Sequence, residues 1–131
     1  MTHLEEATAL RANTAVHYNC FQSVVIPFSE ELGVSKEQLY TLGAHFGSGM
    51  RHGSACGALS GALMVLGGLG YDEQQATALI QQFQAQHSAT DCSALLTAVQ
   101  EQGQERKPHC DGLVFEMIQL LDQLCANAPE T

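Results

Sequence analysis

The sequence predicts an all-α fold, with a single compact helical domain of about six helices around a central glycine-rich helix. Apolar residues recur at spacings of three and four along most of the chain, which is typical of amphipathic helices. No stretch alternates between apolar and polar residues as a half-buried strand would. The length of 131 residues suits one domain, so we assign residues 1–131 to a single unit.

The first third of the chain carries three predicted helices. The first covers residues 4–18, and the second covers residues 19–33 and ends at Gly33, a typical helix-terminating residue. Pro27 lies inside the second helix, so we expect a kink or a break there. Ser35 and Gln38 form a capping box that opens a third helix, which continues to about His45.

A glycine-rich loop over residues 46–54 leads into the predicted central helix, residues 55–69, and Cys56 stands at the start of that helix. Gly57, Ser60 and Gly61 leave one side of the helix almost without bulk. Either another backbone or an inorganic group can therefore approach this side closely. We expect the other helices to be arranged around this junction of loop and helix.

Three further helices complete the predicted fold. Asp72 opens one over residues 72–87 with a second pattern that resembles a capping box. Asp91 can cap a short helix over residues 92–101. Pro108 suits the first position of the last helix, which carries apolar residues as far as Leu124.

The chain is strongly acidic, with 14 aspartate and glutamate residues against 5 lysine and arginine residues and a net charge of −9. This charge disfavours binding to nucleic acid or to an anionic membrane surface. The N-terminus lacks the basic and apolar regions of a secretory signal, and the longest apolar run is too short to span a bilayer. We therefore expect a cytoplasmic protein whose five cysteines serve as thiols, metal ligands or redox groups.

The cysteines carry the main chemical signal. Four of them lie at, or within a turn of, a predicted helix start: Cys20, Cys56, Cys92 and Cys110. The amide groups and dipole at a helix start stabilise a thiolate, so we expect lowered thiol pKa values there. Cysteine also serves as a small core residue, and this interpretation is favoured for Cys125, which stands at a helix end among leucines.

Histidine and arginine residues lie close to the cysteines. Arg51 and His52 precede Cys56 in the glycine-rich loop, where positive charge would help to hold a thiolate or an anionic cluster. Other histidines lie near the remaining cysteines and are either secondary ligands or ordinary polar residues: His17, His87 and His109. The chain has no CxxC motif, which argues against a zinc ribbon and against a thioredoxin-type site.

Residues 56–61, Cys-Gly-Ala-Leu-Ser-Gly, and the preceding Phe-Gly-Ser-Gly-Met of residues 46–50 resemble the core of a known family. This is the redox-active family C_GCAxxG_C_C, named after its four-cysteine pattern. Cys20, Cys92 and Cys110 occupy the other three positions, so the resemblance covers roughly residues 19–124, with Cys125 as an additional thiol. The resemblance implies redox activity. The family is similar to a domain of the split-Soret cytochromes, which implies an iron–sulfur centre held by the cysteines.

Three functions fit these features. In the first, an electron-transfer module holds an iron–sulfur cluster through the four thiolates. The cluster finds room beside the small residues Gly57, Ser60 and Gly61, and His52 lies next to it. Zinc could use the same four thiolates. In the second, a metal-free protein cycles between dithiol and disulfide, with Cys56 as the attacking thiol. In the third, the cysteines are core residues of a helical interaction protein.

The sequence leaves the partners open. Both redox functions require a redox partner protein, which the sequence does not identify. Close helix packing at Gly57 and Gly61 is also compatible with a homodimer.

Overall fold

Within residues 1–127 eight α-helices, α1 to α8, form the fold, and the predicted all-α class is confirmed. The computed structural model describes residues 1–127, so the last four residues of the predicted 1–131 unit lie outside the described part. Over residues 1–127 the chain has no β-strand. The helices are α1 His3–Ala12, α2 Cys20–Val25, α3 Ser29–Leu32, α4 Lys36–Leu42, α5 Gly57–Gly68, α6 Glu73–His87, α7 Cys92–Glu101 and α8 Arg106–Asn127.

Both predicted capping boxes are present. Ser35 accepts a hydrogen bond from the backbone N–H of Gln38, whose side chain in turn accepts from the backbone N–H of Ser35. Asp72 and Gln75 make the same reciprocal pair at the start of α6. These pairs satisfy backbone donors that have no partner inside the helix, and they therefore fix where α4 and α6 begin.

The helix α1 ends at Ala12, six residues before the predicted end at residue 18. The cause is Asn13, whose side-chain oxygen accepts hydrogen bonds from the backbone N–H groups of Ala15 at 2.9 Å and Val16 at 3.0 Å. This local turn offers the backbone an alternative to the helix. It leaves a connecting segment that leads to Asn19 and α2.

Proline marks the other two irregular boundaries. The predicted break at Pro27 is confirmed, because a 3₁₀ turn over Ile26–Phe28 separates α2 from α3. The last helix begins at Arg106, so Pro108 is its third residue rather than the predicted first. A proline is tolerated there because the first backbone N–H groups of a helix have no partner within it.

The central helix α5 packs against α2 and α8, and α1 also packs against α8. Large side chains from several helices are fully buried between them, including Phe28, Leu66, Phe83 and Met117. No helix within residues 1–127 is both long enough and apolar enough to cross a membrane.

Two glycines of α5 determine how closely α2 approaches. A Cβ atom at Gly61 would lie 3.1 Å from the backbone oxygen of Phe21 and from Cβ of Val24. A Cβ atom at Gly57 would lie 3.1 Å from the backbone nitrogen of Phe21. The side of α5 that carries no bulk is therefore covered by the backbone of α2.

Replacing Gly61 by alanine should lower the free energy of unfolding by about 1–3 kcal/mol, because the added methyl group overpacks the contact with α2. Gly112 provides a matched control, since it also lies within a helix but has no atom within 4 Å of its ideal Cβ position. There alanine should stabilise the protein by about 0.5–1 kcal/mol through helix propensity. Chemical denaturation of both variants checks the prediction, and equal effects would contradict the described packing.

Candidate functional site

Four cysteines lie near helix starts, as the sequence predicts. Cys20 is the first residue of α2, Cys56 is the residue before α5, and Cys92 is the first residue of α7. Cys110 is the fifth residue of α8. All four thiols are free rather than joined in disulfides.

The four thiols line one small cavity of about 20 Å³, which we call the inner cavity. This volume is close to that of a single water molecule. The cavity thus brings together residues from four separate parts of the chain. Its wall also includes Ser48, Gly49, Gly57, Arg106 and His109.

Backbone hydrogen bonds hold the Cys56 and Cys92 segments side by side. The N–H of Cys56 donates to the carbonyl oxygen of Thr90 at 2.8 Å, and the N–H of Cys92 donates to the carbonyl oxygen of Ser54 at 2.7 Å. These two bonds flank an isolated antiparallel bridge between residues 55 and 91. The two cysteines are therefore fixed relative to each other by backbone rather than by side-chain contacts.

The glycine-rich loop makes room for Cys92. A Cβ atom at Gly49 would lie 2.7 Å from Cβ of Cys92, and Gly49 has a left-handed backbone with φ of 61°. Its neighbours Ser48, Met50 and Arg51 are also left-handed, with φ of 52°, 60° and 60°. Each such residue other than glycine costs about 1–2 kcal/mol. Strain of this kind persists only where surrounding contacts impose it, and it is common at functional sites.

Asn19 positions Cys20. Its side-chain oxygen accepts from the N–H of Gln22 at 2.8 Å, and its side-chain amide donates to the carbonyl oxygen of Gly43 at 2.9 Å. The first bond caps α2, and the second ties the start of α2 to the segment that follows α4. Cys20 consequently begins its helix at a fixed place beside Gly57, whose ideal Cβ position is 3.3 Å from Cβ of Cys20.

Of the four thiols that line the inner cavity, Cys110 is the one whose pKa is lowered. A hydrogen bond from the Cys20 thiol stabilises the Cys110 thiolate and, against the opposing effect of burial, brings its pKa to about 6. The positive charges of Arg106 and Arg11 act in the same direction. Of the Cys20–Cys110 pair, Cys110 is therefore the thiol that favours the thiolate form.

The other three thiols have raised pKa values. The hydrogen bond to Cys110, followed by burial, raises the pKa of Cys20. Burial raises the pKa of Cys56 despite hydrogen bonds from the amides of α5, and burial also raises the pKa of Cys92. The predicted lowering at helix starts is thus wrong for these three residues, because desolvation of the thiolate outweighs the stabilisation from the helix.

A larger cavity of about 450 Å³, which we call the outer cavity, adjoins the inner one. Cys20, Ser48, Arg106 and Cys110 line both cavities and form the wall between them. Cys20 and Cys110 therefore face a space large enough for a small molecule. Cys56 and Cys92 line the inner cavity but not the outer cavity.

Comparison with known proteins identifies the family. Residues 18–124 match the family described as "Putative redox-active protein (C_GCAxxG_C_C)". The chain belongs to this family. No curated protein and no solved structure gives a match.

The glycines of the C_GCAxxG_C_C motif serve packing as well as the site. Gly57 lines the inner cavity, whereas Gly61 contacts α2 and lines neither cavity. Ser60 also lies outside both cavities, with its hydroxyl donating to the carbonyl oxygen of Gly57 at 3.3 Å. The space predicted for a cofactor along α5 is thus occupied by α2 at Gly61.

The remaining predicted residues have varied surroundings. His52 is exposed and lines neither cavity, His17 lines the outer cavity, and His109 lines the inner cavity. His87 is hydrogen bonded to Glu116 at 2.6 Å. Cys125 is exposed, so its assignment to the core is wrong; it lies near the end of α8, two residues before Asn127.

Sequence reasoning missed the basic residues of the site. Arg106 lies four residues before Cys110 on α8, and this helical spacing could have identified it. Arg11 and Lys107 also line the outer cavity, but Arg11 comes from α1 and reaches it only through the packing of α1 on α8. Nothing local in the sequence connects Arg11 with the cysteines.

An iron–sulfur cluster or zinc requires several thiolate ligands that converge on one point. Four thiols on one cavity match the ligand chemistry of both. Their arrangement does not match, because within residues 1–127 no three Cys, His, Asp or Glu side chains converge to hold a metal ion. The inner cavity of about 20 Å³ is also smaller than a cluster needs. The arrangement described here therefore does not fit a bound cluster.

A pH titration of thiolate absorption in the ultraviolet should show one thiol ionising at a pH of about 6, which corresponds to Cys110. Cys110→Ser should abolish this step. Cys20→Ala should move it to higher pH, because the thiolate loses its hydrogen-bond donor. Cys125→Ser is the control and should leave the step unchanged. A step near pH 6 that persists in Cys110→Ser would refute the assignment.

Proposed function

We propose that this protein is a thiol–disulfide redox protein whose reacting pair is Cys110 and Cys20. The observation that carries the proposal is that both cysteines line the outer cavity as well as the inner one, so that they are neighbours beside a space that a small molecule can enter. Thiols that are neighbours in one cavity wall can reach the bonding distance of a disulfide by side-chain movement. Membership of a redox-active family supports the same type of chemistry.

Cys110 is the attacking thiol in this proposal. A thiolate reacts fastest when its pKa is near the ambient pH, because a much lower pKa reduces its nucleophilicity. The pKa of about 6 satisfies this condition for Cys110. The earlier prediction assigned this role to Cys56, but burial raises the pKa of Cys56 and the residue does not line the outer cavity.

Cys20 is the resolving thiol. The hydrogen bond to Cys110 is the largest cause that raises the pKa of Cys20. Cys20 therefore stays protonated while Cys110 carries the negative charge. Once Cys110 enters a mixed disulfide, that negative charge is gone and this cause of the raised pKa disappears. Cys20 then becomes easier to deprotonate and can attack the Cys110 sulfur.

Arg106 holds the attacking group in place. It comes from the same helix as Cys110, favours the thiolate electrostatically and also donates a hydrogen bond to it. The Nη2 atom of Arg106 donates a hydrogen bond to the hydroxyl oxygen of Ser48 at 2.9 Å. The strained glycine-rich loop thus helps to orient the arginine that stabilises the thiolate.

Binding of an iron–sulfur cluster or zinc by all four cysteines is a second proposal, and it requires the four thiols to converge more closely than they do in the structure of residues 1–127. It is favoured by one observation, the position of the four thiols on a single cavity. The two proposals differ in the role of Cys92, which the metal requires as a ligand and the dithiol pair does not use.

Mild oxidation of the purified protein should remove two of its five thiols and create a disulfide between Cys20 and Cys110, identified by peptide mapping. Cys92→Ser should still lose two thiols, because Cys92 is not in the reacting pair. Cys110→Ser should lose none by this route. Cys125→Ser is a useful background, since the exposed thiol could otherwise join two molecules.

The same protein purified without oxygen tests the metal proposal. Stoichiometric iron or zinc that is lost in each of the four Cys→Ser variants would support metal binding and count against the dithiol proposal. A metal-free protein that forms the Cys20–Cys110 disulfide would support the dithiol proposal.

A further inference from the structure

We infer that the outer cavity binds a small anionic disulfide as the substrate of the Cys110–Cys20 pair. This inference rests on the proposed function and adds the chemical class of the substrate. It is carried by the outer cavity itself, by its basic lining and by the position of the two thiols in its wall.

The charge of the cavity is opposite to that of the protein. Three of the five lysine and arginine residues line it, and no acidic residue within residues 1–127 does. Such a concentration of positive charge in a protein of net charge −9 creates a local site to which an anion is attracted. The three residues are Arg11, Arg106 and Lys107.

The basic side chains are held in place before any ligand arrives. Arg11, whose side chain is 9% exposed, pairs with Asp111 at 2.6 Å and donates to the carbonyl oxygen of Tyr18 at 2.9 Å. Lys107 donates to the carbonyl oxygen of Arg11 at 2.8 Å and pairs with Asp111 at 3.1 Å. Preorganised groups lose less freedom when a ligand binds.

Positive charge remains after these pairs are counted. The carboxylate of Asp111 and the thiolate of Cys110 offset two of the three cations, and one is left uncompensated. Other polar residues of the cavity lining, such as Asn13 and Ser48, are neutral. A ligand that carries carboxylates therefore meets attraction rather than repulsion in this cavity.

The volume restricts the size of the substrate. About 450 Å³ lies within the range of 300–1,000 Å³ typical of small-molecule sites. Cys110 itself is only 8% exposed, so a disulfide must enter the cavity to reach it. A disulfide on the surface of a folded protein would not reach the thiol in this way.

The chemistry balances without any further reactant. The Cys110 thiolate attacks one sulfur of the substrate disulfide, that S–S bond breaks, and the first half of the substrate leaves as a thiolate. Cys20 then attacks the Cys110 sulfur, its proton passes to the leaving group, and the second half leaves as a thiol. The protein pair loses two electrons and the substrate disulfide gains them.

Three disulfides of similar size and different charge test the inference on the reduced full-length protein. They are dithiodipropionate, hydroxyethyl disulfide and cystamine, which carry two negative charges, no charge and two positive charges. For each reagent, the rate at which it forms the Cys20–Cys110 disulfide is divided by the rate at which it reacts with a neutral small thiol. The division corrects for differences in the intrinsic reactivity of the three reagents. The dianion should react about tenfold faster than the neutral reagent at low ionic strength, and the dication should react slowest.

Lys107→Gln should reduce the advantage of the dianion about two- to fivefold, and Lys36→Gln is its matched control. Both lysines are exposed and paired with a carboxylate, with side-chain exposures of 63% and 58%, but only Lys107 lines the outer cavity. Lys36→Gln should therefore leave the preference unchanged. Lys107 is also not among the groups that lower the pKa of Cys110.

Asn13→Asp is a second variant that keeps the local turn. An aspartate oxygen can accept the same backbone hydrogen bonds from Ala15 and Val16 that the asparagine oxygen accepts. It adds a negative charge to the cavity lining and should also reduce the preference for the dianion.

The outcomes distinguish a failure of the anionic substrate from a failure of the Cys20–Cys110 redox pair. A Cys20–Cys110 disulfide that forms equally fast with all three reagents would overturn the anionic substrate and leave the redox pair intact. Failure of every reagent to form that disulfide would overturn the redox pair itself. A preference for the dianion that falls in Lys107→Gln and not in Lys36→Gln supports both.

Discussion

The close contact between α2 and α5 is the constraint on which the site depends. Gly61 lets the Phe21 backbone lie against α5, and Gly57 does the same one turn earlier, next to Cys20. A side chain at either position would separate the two helices and move Cys20 away from Cys56. The approach of Cys20 to Cys110 also depends on this contact, because α5 packs against both α2 and α8.

Burial and charge divide the thiols into two kinds. Desolvation disfavours the thiolate at all four positions, and the hydrogen bonds of the α5 amides are too weak to reverse this effect at Cys56. Cys110 differs because it receives a hydrogen bond from Cys20 and lies near two arginines. The same buried surroundings therefore keep three thiols neutral. They support a negative charge on Cys110, where the hydrogen bond from Cys20 and the two arginines favour the thiolate.

Much of the fold is predictable from the sequence because its signals are local. Capping boxes at Ser35 and Asp72, the break at Pro27 and the helical periodicity all act within a few residues. The early end of α1 was missed because the Asn13 turn competes with a helical pattern that continues past it. Position near a helix start was also visible for the four cysteines.

The order of reactivity among the cysteines could not be predicted in the same way. It depends on Arg11, which lies 99 positions before Cys110, and on a contact between two thiols 90 positions apart. Only tertiary packing creates these neighbours. In the sequence all four thiols stand alike near helix starts, and Cys56 is favoured because Arg51 and His52 precede it, whereas its burial is not visible there.

The glycines that pack α5 against α2 and the cations that line the outer cavity are two separate sets of residues. Gly57 and Gly61 belong to the motif and are required by packing, whereas Arg11, Arg106 and Lys107 lie outside it and set the electrostatics. The architecture and its reactivity are thus encoded by different residues and can change independently. A chain that keeps the motif but replaces these three cations would retain the scaffold and carry thiols with a different acidity and a different choice of substrate.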